Sequence, residues 1–100
     1  MAIVNIRFRK DLIEPILNGR KTCTTRLTRH GNKGDVFFVE CKPYVLTSVQ
    51  KVDLQEVALC DCLSEGFNSP HEFRVVWNQI YHGYDPGEKV WRHRFEEATA

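Results

Sequence analysis

The sequence predicts an α+β fold, a small, mostly antiparallel β-barrel with two to three flanking helices. Three observations carry that reading. Strand-like segments outnumber helical ones, and the elements run strand, helix, several strands, helix, strand. Too few helical stretches remain to serve as the crossovers that parallel neighbours require. A length of 100 residues fits one domain, 1–100, which buries roughly two-thirds of its unfolded surface without staples.

Ala2 to Phe8 alternates, with Val4, Ile6 and Phe8 on one side, and is expected to be a strand. Asp11 is placed as a helix cap with Glu14 as its capping-box partner. Leu12, Ile13, Ile16 and Leu17 form the apolar stripe of that helix, Pro15 is tolerated as lying near its start, and Gly19 ends it. Thr22 to Leu27 is β-branched and extended. Gly31 to Gly34 is a loop, Asp35 to Cys41 a buried strand broken by Pro43, and Tyr44 to Leu54 a longer, partly exposed strand. Glu56 to Ser64 reads as a short helical turn containing Asp61.

Ser69 caps the next helix, with Pro70 at its first position and Glu72 three residues after the cap. Phe73, Val76, Trp77, Ile80 and Tyr81 then recur at helical spacing. Asp85-Pro86-Gly87 is a turn. Val90 to Phe95 closes the chain as a strand with Trp91 and Phe95 on one face, and the residues after Glu96 are expected to fray. His93 alternates with Trp91 and Phe95, which places it as a core histidine.

Composition excludes several function classes. No apolar run approaches the ~20 residues of a membrane span, and the N-terminus lacks a charged-then-apolar leader. A membrane partner is therefore not expected, and the cytoplasm is the expected compartment. The four cysteines lack paired Cys-x-x-Cys spacing, so reduced thiols are expected rather than disulfides or zinc, and no metal or cofactor is called for. A net charge of +1 argues against a dedicated DNA binder. The charge is uneven, however. Arg20, Lys21, Arg26, Arg29, His30 and Lys33 fall in one stretch without an acidic residue, the footprint of an anionic ligand such as RNA.

Three pieces form an ordered pattern: Gly19-Arg20-Lys21-Thr22-Cys23-Thr24-Thr25-Arg26, then Lys33-Gly34-Asp35 before an apolar strand, then Glu65-Gly66-Phe67-Asn68-Ser69 before the amphipathic helix. At these residues the chain resembles the ASCH domain family of the PUA-like superfamily. The family pattern is G-x-K-x-x-T-x-R, a G-D before a strand, E-G-F before a helix, and a last strand ending in Phe. The match runs from Phe8 to Phe95.

The resemblance implies a PUA-like barrel whose pocket faces RNA or a modified nucleoside. One branch of small bacterial members, similar in length and layout, hydrolyses N4-acetylcytidine to cytidine and acetate. Its catalytic lysine, threonine and glutamate carry over to Lys21, Thr24 and Glu65, although that branch departs from Glu-Gly-Phe ahead of the helix. Arg20, Arg26, Arg29, Lys33 and Phe67 are the expected ligand contacts. In such an amidohydrolase Thr24 attacks, Lys21 serves as base if neutral or grips an oxyanion if charged, and Glu65 orients or relays a proton. Two alternatives stand beside it: a non-catalytic RNA-binding module, and a single-strand ribonuclease, for which the sequence offers no paired histidines or metal cluster.

Overall fold

The computed structural model describes residues 2–98. Its elements are α1 (Lys10–Leu17), β1 (Cys23–Arg26), β2 (Val36–Val39), β3 (Lys42–Asp53), α2 (Leu54–Cys60), α3 (Pro70–Tyr81) and β4 (Lys89–Glu97). The four strands form one antiparallel sheet in the order β1-β4-β3-β2. A bulge between Leu46 and Ser48 shifts the β3–β4 register. Such an extra residue raises local twist and bends the strand, which curls the sheet toward a half-barrel.

The Ala2–Phe8 segment keeps the expected alternation but is not a strand. It touches the sheet at a single parallel bridge, Ile3 to Val36, and burial rather than pairing holds it: Ile6 is in the core with Val4 and Phe8 packed against it. Asp11 does not cap α1. The N-cap is Arg9, with no side-chain cap bond, and its guanidinium reaches forward to Asp11 instead. Pro15 sits in the helix interior rather than near its start, forfeiting one backbone bond. Gly19 ends the helix as expected, at φ 83°.

Pro43 does not break a strand. The reversal falls at Glu40 and Cys41, both at positive φ (50° and 66°), and Pro43 is the second residue of β3, where little of the ladder is lost. Phe38, expected to be buried, is 51% exposed, because β2 alternates and only Phe37 and Val39 face inward. Ser69 caps α3 as predicted, its Oγ accepting from the Glu72 N–H at 3.1 Å. Glu97 pairs with Tyr44 and the Ala98 N–H donates to the Pro43 carbonyl, so the chain stays paired beyond Glu96. The rest of the segment expected to fray lies outside the described residues.

Two apolar clusters flank the sheet. Ile6, Ile16, Phe37, Tyr44, Leu46 and Phe95 fill one; Leu54, Val57, Phe67, Phe73, Trp77 and Val90 fill the other. Charge fixes α2 to β4. Arg92 donates to Glu56 (2.6 Å) and Asp61 (2.9 Å), and Arg94 donates to the second Asp61 oxygen (2.8 Å). Asp61 is the C-cap of α2, and its carbonyl accepts from the Glu65 N–H at 2.9 Å. The clamp on Asp61 therefore also positions Glu65.

Candidate functional site

The exit of α1 and the loop between α2 and α3 are stitched together by backbone bonds. The Lys21 N–H donates to the Pro15 carbonyl at 2.9 Å, one of the acceptors a helix end leaves free. The Thr22 and Cys23 N–H groups both donate to the Ser64 carbonyl, at 2.8 and 3.1 Å. Gly66 has φ 97°, and a Cβ there would lie 3.4 Å from the Lys21 Cβ. The left-handed backbone favours glycine at that position. Lys21 and Glu65, 44 residues apart, are thereby set side by side.

Lys21 is 2% exposed and Glu65 4%. The Lys21 Nζ donates to the Cys23 carbonyl (2.8 Å), the Glu65 carbonyl (2.8 Å) and Glu65 Oε1 (3.4 Å). Three acceptors call for three N–H bonds, which only the ammonium has. Thr25, not Thr24, holds the other carboxylate oxygen, donating to Glu65 Oε2 at 2.7 Å. The Thr24 Oγ1 instead accepts from Arg26 Nε at 3.0 Å. Arg26 also donates to the Arg7 carbonyl at 2.6 Å, and its guanidinium lies 5.0 Å above the Phe8 ring. Burial draws the Arg26 guanidinium below its ordinary pKa, and Tyr81 and Glu65 oppose that shift. Burial likewise raises the Tyr81 phenol, against the pull of Arg26.

These groups open onto a cavity of about 150 Å³ between β1 and α3, comparable with one that admits a benzene-sized ring. One wall is Lys21, Thr24, Thr25, Arg26 and Glu65. The facing wall is aromatic, a chain in which Phe67 meets Phe73 at 5.8 Å, Phe73 meets Trp77 at 5.9 Å, and Trp77 meets Tyr81 at 4.3 Å between centroids. Arg7 and Arg9 also line it, with apolar Phe8, Leu12, Val76 and Ile80.

Of the residues singled out in the sequence, Lys21, Thr24, Glu65, Arg26 and Phe67 converge here. Arg20 is exposed at the surface, donating to the Gly66 carbonyl at 2.9 Å. Arg29 lies outside the cavity over the Trp91 ring, 5.2 Å from its centroid, and Lys33 is exposed in the loop before Asp35. Thr25, Trp77, Arg7 and Arg9 were not anticipated. Trp77 carried only a core-packing signal, and no residue pattern ties Thr25 to Glu65.

The structure does bring two histidines together, His30 and His93, with ring centroids 5.8 Å apart. His93 is fully buried, with its Nε2 accepting from the His30 N–H (3.0 Å) and its Nδ1 donating to the Thr24 carbonyl (3.2 Å). Both nitrogens are occupied by backbone, so the ring is held neutral as a core group, and burial pushes its pKa down to about 4. The Cys23 thiol is buried; desolvation and the Glu65 carboxylate push its pKa far up, leaving it inert.

No family model matches the sequence, and no curated protein matches it. Solved structures do. Hypothetical protein PH0355 is similar with a TM-score of 0.69 at 19% identity, over 91% of this chain and 94% of that one. An ASCH domain from Lactobacillus crispatus is similar with a TM-score of 0.64 at 15% identity, over 96% and 77%. Protein EF3133 from Enterococcus faecalis follows at 0.62 and 17%, over 88% and 67%. These likenesses show the fold, a small α+β half-barrel. The ASCH domain from Lactobacillus crispatus has the same fold.

Proposed function

We propose that the chain is a single ASCH domain, 1–100, working in the cytoplasm, whose cavity takes the base of a modified nucleoside and hydrolyses N4-acetylcytidine to cytidine and acetate. One observation supports this above others: Lys21, Thr24 and Glu65 meet at a ring-sized cavity faced by aromatic side chains. Aromatic walls suit a planar base, and a buried cation beside hydroxyls suits an acyl carbon on which negative charge develops.

In this reading Thr24 Oγ1 attacks the acetyl carbonyl carbon, with Arg26 Nε holding its oxygen in place. The Thr24 hydroxyl proton passes to Glu65 and from there to N4 as the N4–C bond breaks. Cytidine leaves, and water, giving its proton to Glu65, then hydrolyses the threonyl acetate to acetate and free Thr24. Lys21 acts as a cation rather than a base, since its three N–H bonds already have acceptors. Glu65 is the base of the cluster, and Thr25 fixes its orientation.

The test is incubation of the purified protein with N4-acetylcytidine, followed by chromatography. Release of cytidine is the expected result. Binding without release at high enzyme concentration rejects hydrolysis and leaves the second reading, a non-catalytic RNA-binding module. That reading is favoured by Arg7 and Arg9 in the cavity lining, and it predicts RNA affinity that falls steeply with salt. Ribonuclease action ranks last, because both ring nitrogens of His93 are engaged by backbone groups.

A further inference from the structure

Trp91, which the cavity does not use, sits among cations. Directly paired residues of antiparallel strands share a face, so Arg26, Trp91 and Lys51 form one row across β1, β4 and β3. Arg29 joins them from the segment after β1. Its guanidinium carbon lies 5.2 Å from the centroid of the Trp91 ring, and the Lys51 Nζ lies 5.9 Å from it. Trp91 is half-buried, and Arg29 and Lys51 are exposed. Arg26, Arg29 and Lys51 make no ion pair among the described residues, and Asp53, one row further along the same face, is taken by Lys89. Arg29 donates from Nε to the Gly31 carbonyl at 3.1 Å, which leaves its two outer nitrogens for the paired bonds a phosphate accepts.

Three positive groups around one aromatic ring repel each other, and an anion from outside relieves that repulsion. An anion joined to a flat group uses the ring as well. A nucleotide is such a ligand, with a phosphate for the cations and a base for the indole; an acidic peptide matches the charge and offers nothing to stack. We propose that Trp91, Arg29 and Lys51 form a binding surface for single-stranded RNA outside the cavity. The nucleotide next to the one in the cavity stacks its base on Trp91, and Arg29 and Lys51 leave the ring face to hold its phosphate. Arg26 connects the two places, since it pairs with Trp91 across the strands and also lines the cavity. The inference rests on the nucleoside reading of that cavity and names the substrate, a modified cytidine carried within a strand.

The probe is a fluorescein-labelled RNA pentamer of cytidylate, followed by anisotropy at several salt concentrations, with cytidine binding measured by calorimetry for comparison. The wild type is expected to bind the pentamer at least about tenfold more tightly than cytidine, one stacked base being enough for that difference. Trp91→Leu should weaken pentamer binding about tenfold. Arg29→Ala and Lys51→Ala should each flatten the plot of log affinity against log salt, by about 0.7 for a lost phosphate contact. These two side chains are exposed, so their variants decide the matter if Trp91→Leu fails to fold. Pentamer affinity equal to that of cytidine overturns the inference, as does a pentamer whose affinity and salt slope are unchanged in all the variants; both results leave the cavity reading intact. Displacement of the pentamer by polyglutamate as readily as by unlabelled RNA also overturns it, in favour of an acidic protein partner. Pentamer binding that depends on Trp91, with no cytidine released from N4-acetylcytidine, supports the surface and rejects hydrolysis alone.

Discussion

The Lys21 ammonium and the Glu65 carboxylate lie 3.4 Å apart in a pocket that almost excludes water from both residues. Neither ion is tolerable there alone. The pair answers the desolvation of each, and the Cys23 and Glu65 carbonyls and the Thr25 hydroxyl satisfy what the pair leaves over.

Removing the cation should therefore damage the fold as well as any activity. Lys21→Met is expected to cost about 3–5 kcal/mol, read as a lower midpoint in chemical denaturation. Adding Glu65→Gln should recover part of that loss, because the stranded carboxylate disappears. The double variant should stay inactive, which separates the chemical role of the pair from its structural one. Strictly additive costs in the double-mutant cycle would contradict the coupling.

The two threonines should separate by phenotype. Thr25→Val removes the donor to Glu65 Oε2 and is expected to cost about 1.5–3 kcal/mol of stability. Thr24→Val takes away only an acceptor for Arg26, so its effect on folding should be smaller. Under the proposed mechanism it should nonetheless lower hydrolysis by at least about 10³-fold, whereas Thr24→Ser keeps measurable turnover. Parallel assays of melting and cytidine release on the three variants decide between these roles.

Acid should weaken the protein through His93. Its pKa is about 4 in the fold, against 6.5 ordinarily. Between those values the unfolded chain takes up a proton that the folded chain refuses. The stabilisation is complete above pH 6.5, falls as pH drops, and is gone by about pH 4. At about 1.4 kcal/mol per unit, the loss is on the order of 3 kcal/mol. His30 is shifted the same way, first by burial and then by Arg26. Denaturant midpoints across this window should flatten in His93→Gln, even if that variant is less stable overall.

Alkylation of the native protein offers a check on the thiols. Cys41 and Cys60 are exposed, and Cys23 and Cys62 are buried. Iodoacetamide at neutral pH should add two groups rapidly, with the other two sites labelled only after denaturation, as mass spectrometry would show. Rapid labelling of Cys23 would mean that the pocket is open to reagents in a way its packing does not allow.

The helices and most strands were legible because their signals are local. Ser69, Pro70 and the Phe73–Trp77–Tyr81 spacing defined α3 before any fold was known, and Gly19 marked the end of α1. The errors share a cause. Alternation in Ala2–Phe8 reports which side chains are buried, and it says nothing about whether a neighbouring strand exists to pair with. Pro43 reads as a breaker only until the reversal at Glu40 and Cys41 puts it near the start of β3. Asp11 has the chemistry of a cap, but the cap position is set by where the chain leaves its extended path, and that is Arg9.

By itself the sequence determined the basic run from Gly19 to Arg26 and the Glu65-Gly66-Phe67 pattern ahead of α3. The candidacy of Lys21, Thr24 and Glu65 came with it, through the resemblance of those stretches to the ASCH domain family. The tertiary structure alone decided which threonine serves Glu65. The choice depended on where a loop 40 residues away came to rest. The fold also decided that Lys21 donates to three acceptors and that His93 is spent on backbone groups. Each of these is a distance between atoms far apart in the chain. Such distances follow from how the clusters on either side of the sheet pack, which no local pattern encodes.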